Sequence, residues 1–125
     1  MNYAEQSIKQ ADHFFDEAHE LIEAGIKDMA FIALYNASFH VARALLFRDG
    51  IKERSHYCVS KYIEEKYCEK EMVTLRQAII LDSLRARRNT IQYSLEQPEL
   101  EEDLNEIYSE VEGLIERVKE LLGKN

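Results

Sequence analysis

Three arginines fall within four positions, Arg85, Arg87 and Arg88, in a chain of 125 residues whose formal net charge is −8. A guanidinium keeps its charge across the accessible pH range, and its fork of N–H donors matches a phosphate or a carboxylate. Arg88 is the most informative of the three. It interrupts an apolar stripe that reads, at helical spacing, Val73, Ile80, Leu84, Ile91 and Leu95. A cation in such a stripe needs acceptors around it. Beside it, Arg85, Asn89, Gln92 and Tyr93 make the neighbouring face polar. This group suits an anionic ligand, or equally the Glu-rich surface of a partner subunit.

A second polar cluster lies upstream. Each helical residue advances by about 100°, so Asn36, His40 and Arg43 fall within about 60° of one another. They interrupt a segment that is otherwise apolar on most of its circumference. This stripe is either the one solvent-facing edge of its helix, a satisfied buried cluster, or a cleft wall on which Asn, His and Arg face a ligand.

Other chemistries lack their residues. A di-metal helical bundle uses two Glu-x-x-His pairs, which this chain does not have; its Asp16-x-x-His19 is an isolated match, and no paired Cys or His pattern is present. No metal site and no cofactor are expected. Neither a Gly-rich phosphate loop, nor a His-Glu-x-x-His helix, nor a Gly-x-Ser-x-Gly elbow is present. Tyr57, Tyr62 and Tyr67 read as packing side chains rather than base-stacking platforms.

The elements that must position these residues are helices. Four Gly and one Pro among 125 residues leave too few turn formers for a sandwich or barrel. Five amphipathic segments can be read. The first runs from about Tyr3 to Ala24, with a seam of Ala4, Ile8, Ala11, Phe15, Ala18 and Ile22, and Gly25 ends it. The second runs from an N-cap at Asp28 to Arg48, with Gly50 as terminator, and reads as the central helix. The third, about His56 to Glu69, opens behind Ser55. The fourth runs from about Glu71 to Ser94. Pro98 begins the fifth, whose seam is Leu100, Leu104, Ile107, Val111, Leu114, Val118 and Leu121. The expectation is one all-α domain over residues 1–125, an up-and-down bundle of four to five helices.

Charge is uneven along this bundle. Residues 1–42 sum to −5, residues 43–94 to +4 and residues 95–125 to −7. One reading is that the acidic ends are solvated helix faces; the sharper one is that the basic middle, with 11 of the 16 cations and every arginine named above, lines one anion-binding surface. Cys58 and Cys68 lie ten apart on one helix, roughly 15 Å along its axis, too far to bridge. The N-terminus has no apolar signal region, and the most apolar stretch, 30–47, is broken by Asn36, Ser38, His40 and Arg43. A cytoplasmic protein without membrane contact is expected.

The helical order, the segment Ser38-Phe39-His40-Val41-Ala42-Arg43-Ala44-Leu45-Leu46, the helix opening at Ser55-His56, and Arg88-Asn89-x-x-x-Tyr93 resemble a small prokaryotic HEPN domain (higher eukaryotes and prokaryotes nucleotide-binding). The likeness spans about residues 5–120. It implies a homodimeric bundle and, for many members, a metal-independent ribonuclease or toxin whose Arg-x4-6-His motif comes from both protomers. Others bind nucleotides or accompany a minimal nucleotidyltransferase, as in toxin–antitoxin pairs. Carried onto this chain, the motif Arg is Arg88, the polar residue after it is Asn89, and the His position holds Tyr93.

That departure has a chemical consequence. A tyrosine with a pKa near 10 is a poor general base beside a histidine near 6.5. Tyr93 retains the ability to donate a hydrogen bond or a proton while Arg88 stabilises developing charge, and His40 or His56 is left to supply an imidazole. Two readings follow from the resemblance. One is a nucleotide- or RNA-binding or nucleotidyltransferase-partner module. The other is a ribonuclease with Arg88 and Tyr93 at a dimer interface.

Overall fold

In a computed structural model, described over residues 2–52, 56–70, 72–73, 77, 84 and 104–123, every regular element is helical. Helix α1 is Tyr3–Glu23, α2 is Lys27–Arg48, and α3 is His56–Ile63, continued by a π-helical turn, Glu64–Cys68. Helix α4, Leu104–Leu121, is the body of the fifth segment. The all-α class is as expected, with four helices among the described residues. Most of the fourth segment lies outside them; Val73 and Leu84, two members of its apolar stripe, are described and buried.

Local chemistry accounts for the helix ends. Asn2 caps α1: its Oδ1 accepts the Glu5 backbone N–H at 2.8 Å, satisfying one donor the helix leaves open. Gly25 and Gly50 end α1 and α2 with φ of +75° and +82°, a conformation that strains any residue with a Cβ. The expected cap at Asp28 is corrected. Ile26 occupies the N-cap position without a side-chain bond, and the Ala30 N–H already bonds to the Ile26 carbonyl at 3.1 Å. Asp28 therefore sits inside the first turn, where its charge meets the positive end of the helix dipole.

The third segment also differs from expectation. Its α-helical hydrogen bonding stops at Ile63, and a wider turn takes over, with the Glu69 N–H bonding to the Glu64 carbonyl five residues back at 3.3 Å. Such turns hold one extra residue and re-aim the side chains that follow.

Helix α2 is the core. Thirteen of its 22 residues are buried, which leaves room for one narrow exposed edge. It is long and apolar enough to cross a bilayer, but 78% of its most apolar window is buried inside the bundle, so the core it forms accounts for its apolarity. Helix α1 runs antiparallel to it, bringing Tyr3 against Phe47 and Phe14 against His40. Its seam is as read, with Ile8, Ala11 and Ala18 buried. Helix α4 closes the other side with Val111, Leu114, Ile115 and Val118 buried. It is antiparallel to α1: Tyr108 stacks on Phe15 at 4.4 Å and Lys119 pairs with Asp12 at 3.0 Å. The three helices thus fix the exposed edge of α2 on the side shared with α1.

Candidate functional site

Between Phe31 and Phe47, α2 is buried except at Ile32, Asn36, His40, Arg43 and Phe47, which are half-buried. Their spacing of four, four, three and four keeps them on one face. Asn36, His40 and Arg43 are therefore brought together as read. The edge of the helix and the wall of a cleft prove to be the same place for two of them: His40 and Arg43 line a cleft of about 390 Å³ between α1 and α2. Asn36 lies on the stripe outside that lining.

The opposite wall is α1, which contributes Tyr3, Gln6, Ser7 and Gln10. Phe47 and Lys52 close one end. Aromatic rings hold the cations in place. The Arg43 guanidinium lies 4.8 Å from the Phe47 ring centroid, Phe47 lies 5.4 Å from Tyr3, and the Lys52 ammonium lies 5.0 Å from the Tyr3 ring. Each cation–ring contact contributes about 0.5–1 kcal/mol at an exposed site. The His40 ring stacks on Phe14 at 5.5 Å with 5° between the planes. Among the described residues, no carboxylate lines this cleft. Two cations, two amides and the hydroxyls of Tyr3 and Ser7 are the donor set for an anion, and the exposed Tyr3 ring is a face for a planar group.

A second cluster adjoins it at the end of α2. The Arg48 guanidinium donates to the Leu121 carbonyl at 2.8 Å and to the Tyr67 hydroxyl at 2.7 Å, and its Nε lies 3.4 Å from Asp49 Oδ1. The hydroxyls of Tyr62 and Tyr67 both donate to Asp49 Oδ2, at 2.8 and 2.5 Å. Burial raises the Asp49 pKa, but the two hydroxyls and Arg48 outweigh it, and the carboxyl ends below its ordinary value. The converse holds for the tyrosines. Burial and the adjacent carboxylate push Tyr62 up to about 12 and Tyr67 higher still. This clasp ties the ends of α2, α3 and α4 together, so Tyr62 and Tyr67 have a structural task. The side chain of Tyr57 lies outside the described residues.

Arg85, Arg88, Asn89, Gln92 and Tyr93 lie outside the described residues, as does the side chain of His56. Among the described residues, no group of three His, Cys, Asp or Glu side chains is placed to hold a metal ion.

Sequence reasoning missed the α1 wall. Its signal is a run of uncharged polar residues, Tyr3, Gln6, Ser7 and Gln10, on a helix whose other polar positions are mostly charged. It also missed Asp49 and Lys52, because loop residues carry no periodicity to place them.

Comparison with known proteins gives two results. A family model described as HEPN domain matches residues 4–121, nearly the whole chain. No curated protein matches the sequence.

Proposed function

We propose, for a chain that belongs to the HEPN domain family, the function of a nucleotide- or RNA-binding module whose contact surface is the α1–α2 cleft. One observation carries this reading: His40 and Arg43 share the cleft with Lys52 and two glutamines, and among the described residues no acidic side chain lines it, in a protein of net charge −8. Charges beyond about 8 Å are screened at physiological salt, so an anion in the cleft responds to Arg43 and Lys52 before it responds to the acidic ends. The exposed ring of Tyr3 offers a base a stacking surface. Such a module also fits service beside a nucleotidyltransferase in a toxin–antitoxin pair, where a bound nucleotide is the shared chemistry.

The test is calorimetric titration of the protein with nucleoside monophosphates and a short RNA, repeated on Arg43→Ala/Lys52→Ala. Binding by the parent chain and its loss in the variant support the reading. Equal binding by both removes the cleft from it.

A second reading is favoured by Arg88 falling in the middle of an apolar stripe: a metal-independent ribonuclease assembled across a homodimer, with Arg88 and Tyr93 drawn from both copies. RNA cleavage in the presence of a chelator, abolished by Arg88→Ala, would establish it. An intact RNA substrate after prolonged incubation with folded protein would remove it.

A further inference from the structure

Among the described side chains that line the α1–α2 cleft, His40 alone is of a type whose charge changes near neutral pH. An imidazole passes from cationic to neutral between about pH 5 and 8. The rings that fix it carry no charge: Phe14 stacks on it at 5.5 Å with 5° between the planes, and Phe39 meets it edge-on at 5.4 Å.

The charged groups that share the cleft with it are cations. On α2, Arg43 follows His40 by three residues, about 4.5 Å along the axis and on the same face. Lys52 stands at the end of the cleft. On α1, the ionisable side chains nearest Phe14 in sequence are engaged elsewhere. Asp12 pairs with Lys119 at 3.0 Å, His13 with Glu17 at 3.7 Å, and Asp16 acts on the Tyr108 hydroxyl. None of these lines the cleft, whose α1 wall offers Tyr3, Gln6, Ser7 and Gln10. Among the described residues, a proton on His40 therefore adds a third cation to two, with no carboxylate in the lining to offset it.

Like charges close together disfavour a further one, and an opposite charge favours it. Without an anion, Arg43 and Lys52 work against protonation of His40. A phosphate group among the three reverses the sign, because its charge offsets the two fixed cations and the imidazolium becomes a third donor. The proton comes from solvent. Linkage makes the effect reciprocal: the factor by which the anion raises proton affinity is the factor by which the proton raises anion affinity. Binding that takes up a proton is strongest at low pH and weakens as pH rises.

We infer that His40 takes up a proton when the cleft binds a phosphate group, which makes the cleft a pH-sensitive site that tightens as pH falls through neutrality. This rests on the proposed function for its ligand and goes beyond it by assigning the regulation of that site to one side chain.

Calorimetric titration with uridine monophosphate, in buffers of different ionisation enthalpy, counts the protons exchanged on binding. Above about pH 7 a phosphate monoester, whose second proton leaves near pH 6, is largely dianionic, so the protein dominates the count. About half a proton should be taken up at pH 7, and affinity should weaken about threefold or more between pH 7 and 8.5. His40→Gln keeps a polar side chain without a titrating group, and should bind with neither the uptake nor the pH dependence. His13→Gln, outside the cleft, should behave as the parent. If His40→Gln does not bind, proton spectra of the parent decide. The His40 ring signals are expected to titrate at a higher pH with ligand than without it, while those of His13 and His19 stay in place; unmoved His40 signals overturn the inference. Binding by the parent without proton uptake, or uptake that persists in His40→Gln, also overturns it and leaves the proposed function standing. Absence of binding at every pH overturns both.

Discussion

Tyr62 and Tyr67 stand five residues apart and donate to the same carboxylate oxygen of Asp49. On a regular α-helix that separation turns side chains about 140° away from each other. The π-helical turn Glu64–Cys68 resolves the conflict, because a repeat near five residues returns the chain to the same side. The extra residue is what lets one aspartate at the end of α2 hold two points of the next element, while Arg48 holds the end of α4.

Removing the carboxylate should therefore cost more than a surface substitution. Tyr67 is 3% exposed, so its hydroxyl has little water to replace Asp49. A buried donor left without its acceptor costs about 1–3 kcal/mol. Asp49→Ala is expected to lower stability by that amount in urea denaturation, and Tyr62→Phe, at the more exposed hydroxyl, by less.

The clasp also sets a pH dependence with a definite sign. Asp49 is held below its ordinary pKa, so the unfolded chain binds its proton more readily. The stabilisation is complete above about pH 4, the ordinary range of an aspartate, and is lost as pH falls through the depressed value. Tyr62 is displaced upward, to about 12, so its contribution is present below about pH 10 and lost as pH rises through about 12. In tyrosinate absorbance titrations, Tyr62→Phe and Tyr67→Phe should each remove signal from the late, alkaline part of the curve. In acid titrations, Asp49→Asn should remove the steepest loss of stability below pH 4.

Much of the scaffold is legible in the sequence, and for a physical reason. The seams of α1 and α4 repeat with the helical period, and the scarcity of Gly and Pro confines the chain to one structural class. The π turn is not legible, because Tyr62 and Tyr67 fit an α-helical apolar side until the position of Asp49 is known. The site was half legible. Asn36, His40 and Arg43 stand out as polar residues on an apolar helix, whereas Gln6 and Gln10 resemble any solvated face until α1 is docked antiparallel on α2.

The assembly expected from the family resemblance gives a further measurement. Sedimentation is expected to return a mass near twice 14.7 kDa. A monomer at micromolar concentration would contradict a site shared by Arg88 and Tyr93 of two copies, and would leave the cleft reading untouched, since one chain supplies all of its walls.

Binding in the cleft should depend on its two cations together. A charge-assisted hydrogen bond to phosphate is worth about 1.5–3 kcal/mol, so Arg43→Ala is expected to weaken mononucleotide binding by roughly tenfold to a hundredfold. Lys52→Ala should have a smaller effect, since a flexible ammonium at an exposed position loses more in being held.

The central claim is the location of the ligand, and a nitrogen–proton correlation spectrum of the labelled protein, titrated with a nucleoside monophosphate, tests it most directly. Amide shifts concentrated at residues 3–10 and 40–52, absent in Arg43→Ala/Lys52→Ala, are the expected result. Shifts confined to other parts of the chain, or a spectrum unchanged at millimolar ligand, would contradict it.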